Sequence, residues 1–398
     1  MMLNKEIKNL RVLWLAQAIS QAGDAIYQLA LIWLVLDMTQ STVITGIIAM
    51  SAYLPALIFG LYAGVFSDRG NRFKLMIFSN AAQALTVMLI PLVLWNGIEN
   101  AWVICGLAFL RSCFYTLFQP ALQSFIPVLF AKEHIVRINS ILITSGQVAW
   151  MVGPFIAGSL LSVVSLINLF IVDALSFLFA ISLLLFINQP QQPYENKINS
   201  HWEDLKLGLS YLFSHKSIFI MMVITFINNL FIMGPAIVGI PILIRLGLGG
   251  SAADFAFVEG FMALGALLGS FLVTKLNKKL NNGIIWGMGL IVDGITFSFL
   301  FWADSVPMAM AMIFIHGIGI PMIMVSRTSI IQLHAPNKYH GRLFSVAHIG
   351  VVGTTALSSA LIGIISDYIN IKSIFLFIGI GASLCGLLGL SIKSIRKL

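Results

Sequence analysis

The sequence predicts an all-α membrane protein of twelve spanning helices, on three observations: its composition, the spacing of its apolar blocks and the placement of its positive charges. Of 398 residues, 59% are hydrophobic and only 10% charged, against roughly 25% charged in soluble proteins. A soluble fold has no interior large enough for that apolar surface. The excess falls into blocks of about twenty residues, the length at which a helix crosses about 30 Å of hydrocarbon.

Taken in order, the blocks predict spans near 11–37, 42–66, 73–95, 101–128, 136–163 and 167–188, then 217–244, 253–275, 283–303, 306–332, 341–368 and 372–392. Between the sixth and seventh lies the longest polar interruption. The expected organisation is therefore a six-helix bundle over 1–188, a linker over 189–216 and a second six-helix bundle over 217–398. Within the linker, HWEDLKLGLSYLFSH has apolar residues at helical spacing. It reads either as an amphipathic helix on the membrane face or as a solvated connector.

Lys and Arg in short loops favour the cytoplasmic side. With the N-terminus inside, 19 of the 23 Lys and Arg fall in or beside cytoplasmic segments, only Arg245 and Lys372 lie outside, and Arg111 and Arg327 fall within spans. Adding or losing one helix would invert half the loops and destroy this bias. Both termini are therefore expected in the cytoplasm.

Several function classes are disfavoured. The net charge is +8, but the basic residues are scattered through short loops and form no stripe for nucleic acid. Cys105, Cys113 and Cys385 lie in apolar blocks without a C-x-x-C pair, so neither a disulfide framework nor a metal site is expected. There is no G-x-x-x-x-G-K-[ST] phosphate loop, no H-E-x-x-H and no extramembrane segment long enough for an active site. An enzyme is not expected, and neither is a cofactor. The basic N-terminus leads into a stretch too long for a signal-peptide core and reads as a retained span.

Around the second inner loop, GVFSDRGNRFK (64–74) resembles the signature loop of the major facilitator superfamily, roughly G-x-L-x-D-R-x-G-R-K, with Gly64, Asp68, Arg69 and Arg72 matching and Asn71 in place of the second glycine. GPFIAG in span 5, with Gly153 and Pro154, is similar to the superfamily's antiporter signature. SRTSIIQLHAPNKYHGRLFSV (326–346) resembles the junction between spans 10 and 11 in the macrolide-efflux and enterobactin-exporter branch, through Gln332, Pro336, Gly341, Arg342 and Ser345. QAISQAGDAIYQLALIWLVL in span 1 and INLFIVDALSFLFA in span 6 resemble that branch too, so the likeness runs the length of the chain. It implies the major facilitator fold, two pseudo-symmetric six-helix bundles with inverted three-helix repeats, in a bacterial inner membrane. It also implies gating by the 64–72 loop, a latch for one access state, and by a hinge at Gly153 and Pro154. The second-half counterpart, GSFLVTKLNKK, has no acidic residue, so any latch is asymmetric.

Charges inside a membrane are costly and mark function by default. Those within spans are Asp24, Arg111, Asp173, Glu259, Asp293, His316, Arg327 and His348. The resemblance implies that spans 1, 4, 7 and 10 line a cavity, where Asp24, Arg111, Asn228, Asn229 and His316 become substrate candidates. Asp24 and Arg111 are expected to face one another. Two readings of that pair stay open: an exchange in which protonation or substrate competes for one partner, and a static bridge between spans 1 and 4. Asp24 and Glu259 are the proton-coupling candidates. Asp173 is expected as a solvated or helix-bonded carboxylate in the outer third of span 6, and Asp293 as a structural hydrogen-bonding group.

The expected function is proton-coupled export of an amphiphilic small molecule such as a drug, macrolide or siderophore, by one chain acting alone in the lipid bilayer. Nutrient uptake, facilitated diffusion and lipid translocation by the same fold are the alternatives.

Overall fold

A computed structural model describes residues 2–69, 71–187 and 201–398, and the side chains of 2–5, 61, 64–69, 132, 136, 201–205, 337 and 338 lie outside that description. The helices are α1 (Met2–Thr39), α2 (Thr42–Arg69), α3 (Arg72–Trp95), α4 (Ala101–Leu129), α5 (Ile135–Leu160), α6 (Leu166–Leu184), α7 (His201–Ser214), α8 (Lys216–Gly234), α9 (Ile240–Ile242), α10 (Ala252–Leu276), α11 (Asn282–Ser298), α12 (Val306–His334), α13 (Asn337–Tyr368), α14 (Ile371–Ser391) and α15 (Lys393–Arg396). Among the described residues, twelve segments are long and apolar enough to cross a membrane; α8 and α9 run together in one of them, Lys216–Gly247. No strand occurs among the described residues. The protein is an all-α, twelve-span membrane protein, as its sequence predicts.

Short polar breaks end and restart these helices through local capping. Asn71 occupies the position where the signature loop has its second glycine, and its Oδ1 accepts the Lys74 N–H at 3.0 Å, capping α3. Asn100 caps α4 by accepting from Trp102. Ser251 and Asp254 form a reciprocal capping box on α10, with Asp254 Oδ2 accepting the Ser251 N–H at 2.8 Å. Each such cap satisfies backbone donors left open at a helix start. Gly97 (φ +76°) and Gly249 (φ +68°) take left-handed turns after α3 and after Gly247, a conformation only glycine adopts without strain.

Two compact units result: Met1–Met38 with Ser51–His201, and Thr39–Met50 with Trp202–Leu398. In the first, Leu13, Phe73, Met76, Phe118, Phe125 and Leu184 form the core. In the second, Met221, Trp286, Leu290, Ile330 and Leu343 do so, joined by Tyr211 and Leu212 of α7. The linker tract 201–214 is thus a helix that buries Tyr211 and Leu212 against the second unit's core and leaves Leu207, Leu209 and Phe213 exposed. Residues 39–50, the end of α1 and the first turns of α2, belong to the second unit, where Thr42 Oγ1 donates to Gly363 O on α13 at 2.8 Å.

Glycine sets the closest approaches. A methyl at Gly265 or Gly269 of α10 would overlap the carbonyls of Phe314 or Ile318 on α12, and one at Gly317 would overlap Met262 O. Small residues let helix backbones meet where lipid supplies no hydrophobic drive. On α8, Ser358 Oγ of α13 accepts the Gly234 N–H at 2.7 Å and donates to Leu230 O at 2.6 Å. The hydroxyl lies across the position of the ordinary i→i−4 bond. Wide turns follow at Pro235–Gly239 and Leu243–Gly247, where an inserted side chain and two prolines perturb the ladder.

Candidate functional site

In the first unit, α1 carries Gln17, Ser20, Asp24 and Tyr27 at a spacing of three to four residues, on one face by helical geometry. All four are buried. The stripe is about 15 Å long at 1.5 Å per residue. Arg111 of α4 reaches this face and donates through Nη2 to Asp24 Oδ1. The expected pairing of Asp24 with Arg111 is therefore present.

The same Arg111 nitrogen lies 3.6 Å from Asp173 Oδ2 on α6. Its guanidinium sits over the Tyr27 ring at 3.9 Å, with Phe177 at 5.6 Å. Of the two readings of Asp173, solvated or helix-bonded, the solvated one fails, since its side chain is 0% exposed. The close approach of α1 and α6 explains this: a methyl at Gly23 would overlap Ser176 Oγ and Asp173 Oδ1. Ser176 Oγ donates to Asp173 O at 2.7 Å and lies 3.4 Å from Asp173 Oδ1. Arg111 Nε, Asp173 Oδ2 and Tyr27 Oη have no hydrogen-bond partner although buried. One guanidinium thus faces two carboxylates and is bonded to one.

The second unit holds a related cluster. Asn228 Nδ2 of α8 donates to Asp293 Oδ2 of α11 at 3.4 Å, and His316 Nε2 of α12 is 3.5 Å from Asp293 Oδ1. His316 is 1% exposed, against the Phe297 ring and 3.2 Å from Thr296 Oγ1. Thr296 donates its hydroxyl to Val292 O at 2.6 Å, so His316 Nδ1 must donate to Thr296. That leaves His316 Nε2 turned to Asp293, and one proton shared between them makes the pair compatible. Asn228 and Asn229, adjacent in sequence, diverge: Asn229 Nδ2 reaches Thr354 Oγ1 at 2.7 Å and Val351 O at 3.1 Å on α13. Glu259 is half-buried on α10.

Of the gating candidates, Gly64, Asp68 and Arg69 lie outside the described side chains, and Arg72 opens α3. Gly153 packs on α1, where a methyl would overlap Ala25 Cβ, and Pro154 is buried beside it. Between α1 and α5 runs an open groove of about 580 Å³, lined by Trp14, Ala18 and Ala22 on one side and Ser140, Thr144 and Val148 on the other. No cluster of His, Cys, Asp and Glu fit to hold a metal occurs among the described residues.

The transmembrane secretion effector family, a branch of the major facilitator transporters, matches residues 5–397. The chain belongs to this family. Macrolide efflux protein A of Streptococcus pyogenes is 24% identical over 395 residues, covering 97% of this chain and 96% of that protein. The multidrug efflux pump Tap of Mycolicibacterium fortuitum is 22% identical over 390 residues, covering 95% and 94%. Among solved structures, the nucleoside transporter NupG superposes with a TM-score of 0.79 at 11% identity, over 96% of this chain and 99% of that one. A POT family transporter bound to a thioalcohol-conjugated peptide gives 0.75 at 14%, over 98% and 96%. These likenesses establish the major facilitator fold for this transporter, as the 64–74 loop implied.

Sequence reasoning paired Asp24 with Arg111 and named His316, but separated Asp173 and Asp293 from them. Both acids sit outside the four spans that the resemblance assigns to a cavity. The available signal was Gly23 beside Asp24, a glycine that lets a third helix approach.

Proposed function

We propose that the protein exports an amphiphilic small organic molecule from the cytoplasm of a bacterium, in exchange for protons, by alternating access. The observation that carries this reading is the ion pair of Asp24 and Arg111, buried on a polar stripe of a spanning helix. Two charges held in hydrocarbon cost more than their mutual attraction returns. Their retention makes sense where one partner can be taken up by a proton or a ligand.

The chemistry is competition. A proton on Asp24 removes the charge that holds Arg111, and the released guanidinium is then free to meet a polar or anionic group of a substrate. Conversely, a ligand that engages Arg111 makes Asp24 available to a proton. The groove beside α1, apolar with a few hydroxyls, suits the apolar body of an amphiphile, which needs shape and burial more than directed bonds. Relatives named for macrolide and multidrug efflux support the same substrate class and the outward direction.

The test is transport in proteoliposomes with an imposed pH gradient, across a panel of macrolides, lipophilic cations and siderophore-like chelators. Outward movement of one class, driven by protons moving inward and abolished by a protonophore, is the expected result. Accumulation in the opposite sense, or exchange indifferent to the gradient, would replace export by uptake or facilitated diffusion.

A further inference from the structure

The first-unit cluster contains two carboxyl groups and one guanidinium, and that imbalance has a consequence for the proton. With Asp24, Asp173 and Arg111 all ionised, a net negative charge would be left in hydrocarbon beside aromatic rings, a costly arrangement. One proton makes the cluster neutral. The bonding places it: Asp24 accepts from Arg111, whereas Asp173 Oδ2 is buried and bonded to nothing, 3.6 Å from the same nitrogen. We propose that Asp173 is a second proton site of this transporter, and that Arg111 is passed between Asp24 and Asp173, with whichever carboxyl it leaves carrying the transported proton. This rests on the proton-coupled reading above.

The step balances from end to end, with a single positive charge on the cluster only between the arrival of one proton and the departure of the other. A proton arrives at Asp24 and breaks its bond with Arg111; the guanidinium turns toward Asp173; the Asp173 proton departs; and the cluster is neutral before and after. Arg111 Nε and Tyr27 Oη, both buried and unbonded, are the spare donors that such a turn uses. The Tyr27 face, 3.9 Å from the guanidinium, supports the cation in either position.

The groups facing Asp173 are few. Asp24 and Tyr27 come from α1, and Arg111 and, through it, Tyr115 from α4; Ser176 is its neighbour on α6. Packed against α6, α3 brings charges only at its first turn, Arg72 and Lys74, while its mid-span polar residues, Asn80 and Gln83, are neutral and buried. Asn80 Nδ2 and Gln83 Oε1 are also unbonded, as is Gln17 Nε2 on the α1 stripe.

Two measurements on the full-length protein decide the matter. The first treats the ligand-free wild type with dicyclohexylcarbodiimide, which adds to protonated carboxyl groups in apolar surroundings, and maps the adduct by mass spectrometry. An adduct on Asp173 is expected. An adduct on Asp24 alone, or none on Asp173, overturns the proposal. The second uses proteoliposomes, erythromycin as probe and an internal pH dye, comparing wild type with D173N and D173E. D173N is expected to lose gradient-coupled export by more than about tenfold while erythromycin counterflow, which needs no net proton movement, falls by less than about threefold. D173E restores coupling. Equal coupled export by wild type and D173N sinks the hand-over but leaves proton-coupled export standing. Erythromycin export by the wild type with no dye response sinks the coupled reading itself.

Discussion

Asp24 and Arg111 respond to substitution in opposite ways because of the third group beside them. Removing the Asp24 charge leaves Arg111 a second carboxylate, Asp173, at 3.6 Å, so Asp24→Asn should fold with near wild-type thermal stability in detergent. It should still lose the dependence of export on the pH gradient. Unchanged gradient dependence in this variant would mean that the pair is only a bridge between α1 and α4. Arg111→Ala, by contrast, strands two buried carboxyls, and truncating one side of a buried pair costs about 3 to 5 kcal/mol; a clear drop in melting temperature is expected. Arg111→Lys keeps the charge but supplies a point donor in place of a planar fork. It should retain the fold and lose at least about tenfold in coupled export, read in the same vesicle assay.

At the scale of elements, the sharpest case is the contact of α8 with α13. Ser358 satisfies the N–H of Gly234 and the carbonyl of Leu230 together. Ser358→Ala leaves both without that partner inside a buried contact, at a cost of about 1 to 3 kcal/mol for an unsatisfied buried group. Reduced stability and faster hydrogen exchange confined to residues 230–239 are expected; exchange unchanged there would show that the ladder closes by itself. The α10–α12 contact is governed by backbone approach instead. Gly265→Leu puts a branched side chain where Phe314 O lies, and should lower stability more than the same change at Gly60, which faces open space.

Across the molecule, charge and topology make one further prediction. The predicted outer basic residue Lys372 is paired with Asp304 at 3.0 Å, a surface contact worth about 0 to 1 kcal/mol. With 19 of 23 positive residues on one side of the predicted topology, both termini should lie in the cytoplasm. On a cysteine-free background, Glu99→Cys should react with a membrane-impermeant thiol reagent in intact cells. Lys278→Cys should react only after the cells are opened. Reversed labelling would invert the topology.

Twelve spans and their family were legible in the chain because hydropathy, loop charge and the 64–74 motif are local in sequence, and the bilayer imposes one element type on every apolar block. The pairing of Asp24 with Arg111 was legible as well, since two rare charges on facing helices have few other partners. What the sequence left open was which further polar groups join them. Asp173 and Asp293 lie on helices that hydropathy cannot distinguish from lipid-facing ones, and only packing turned them inward, α6 closing on α1 at Gly23 and α11 meeting α8 and α12. The sequence determines that charges are buried in this protein. Tertiary structure decides which share a cluster, because the separation of two side chains follows from helix rotation and approach, and neither is written in the order of residues along one helix.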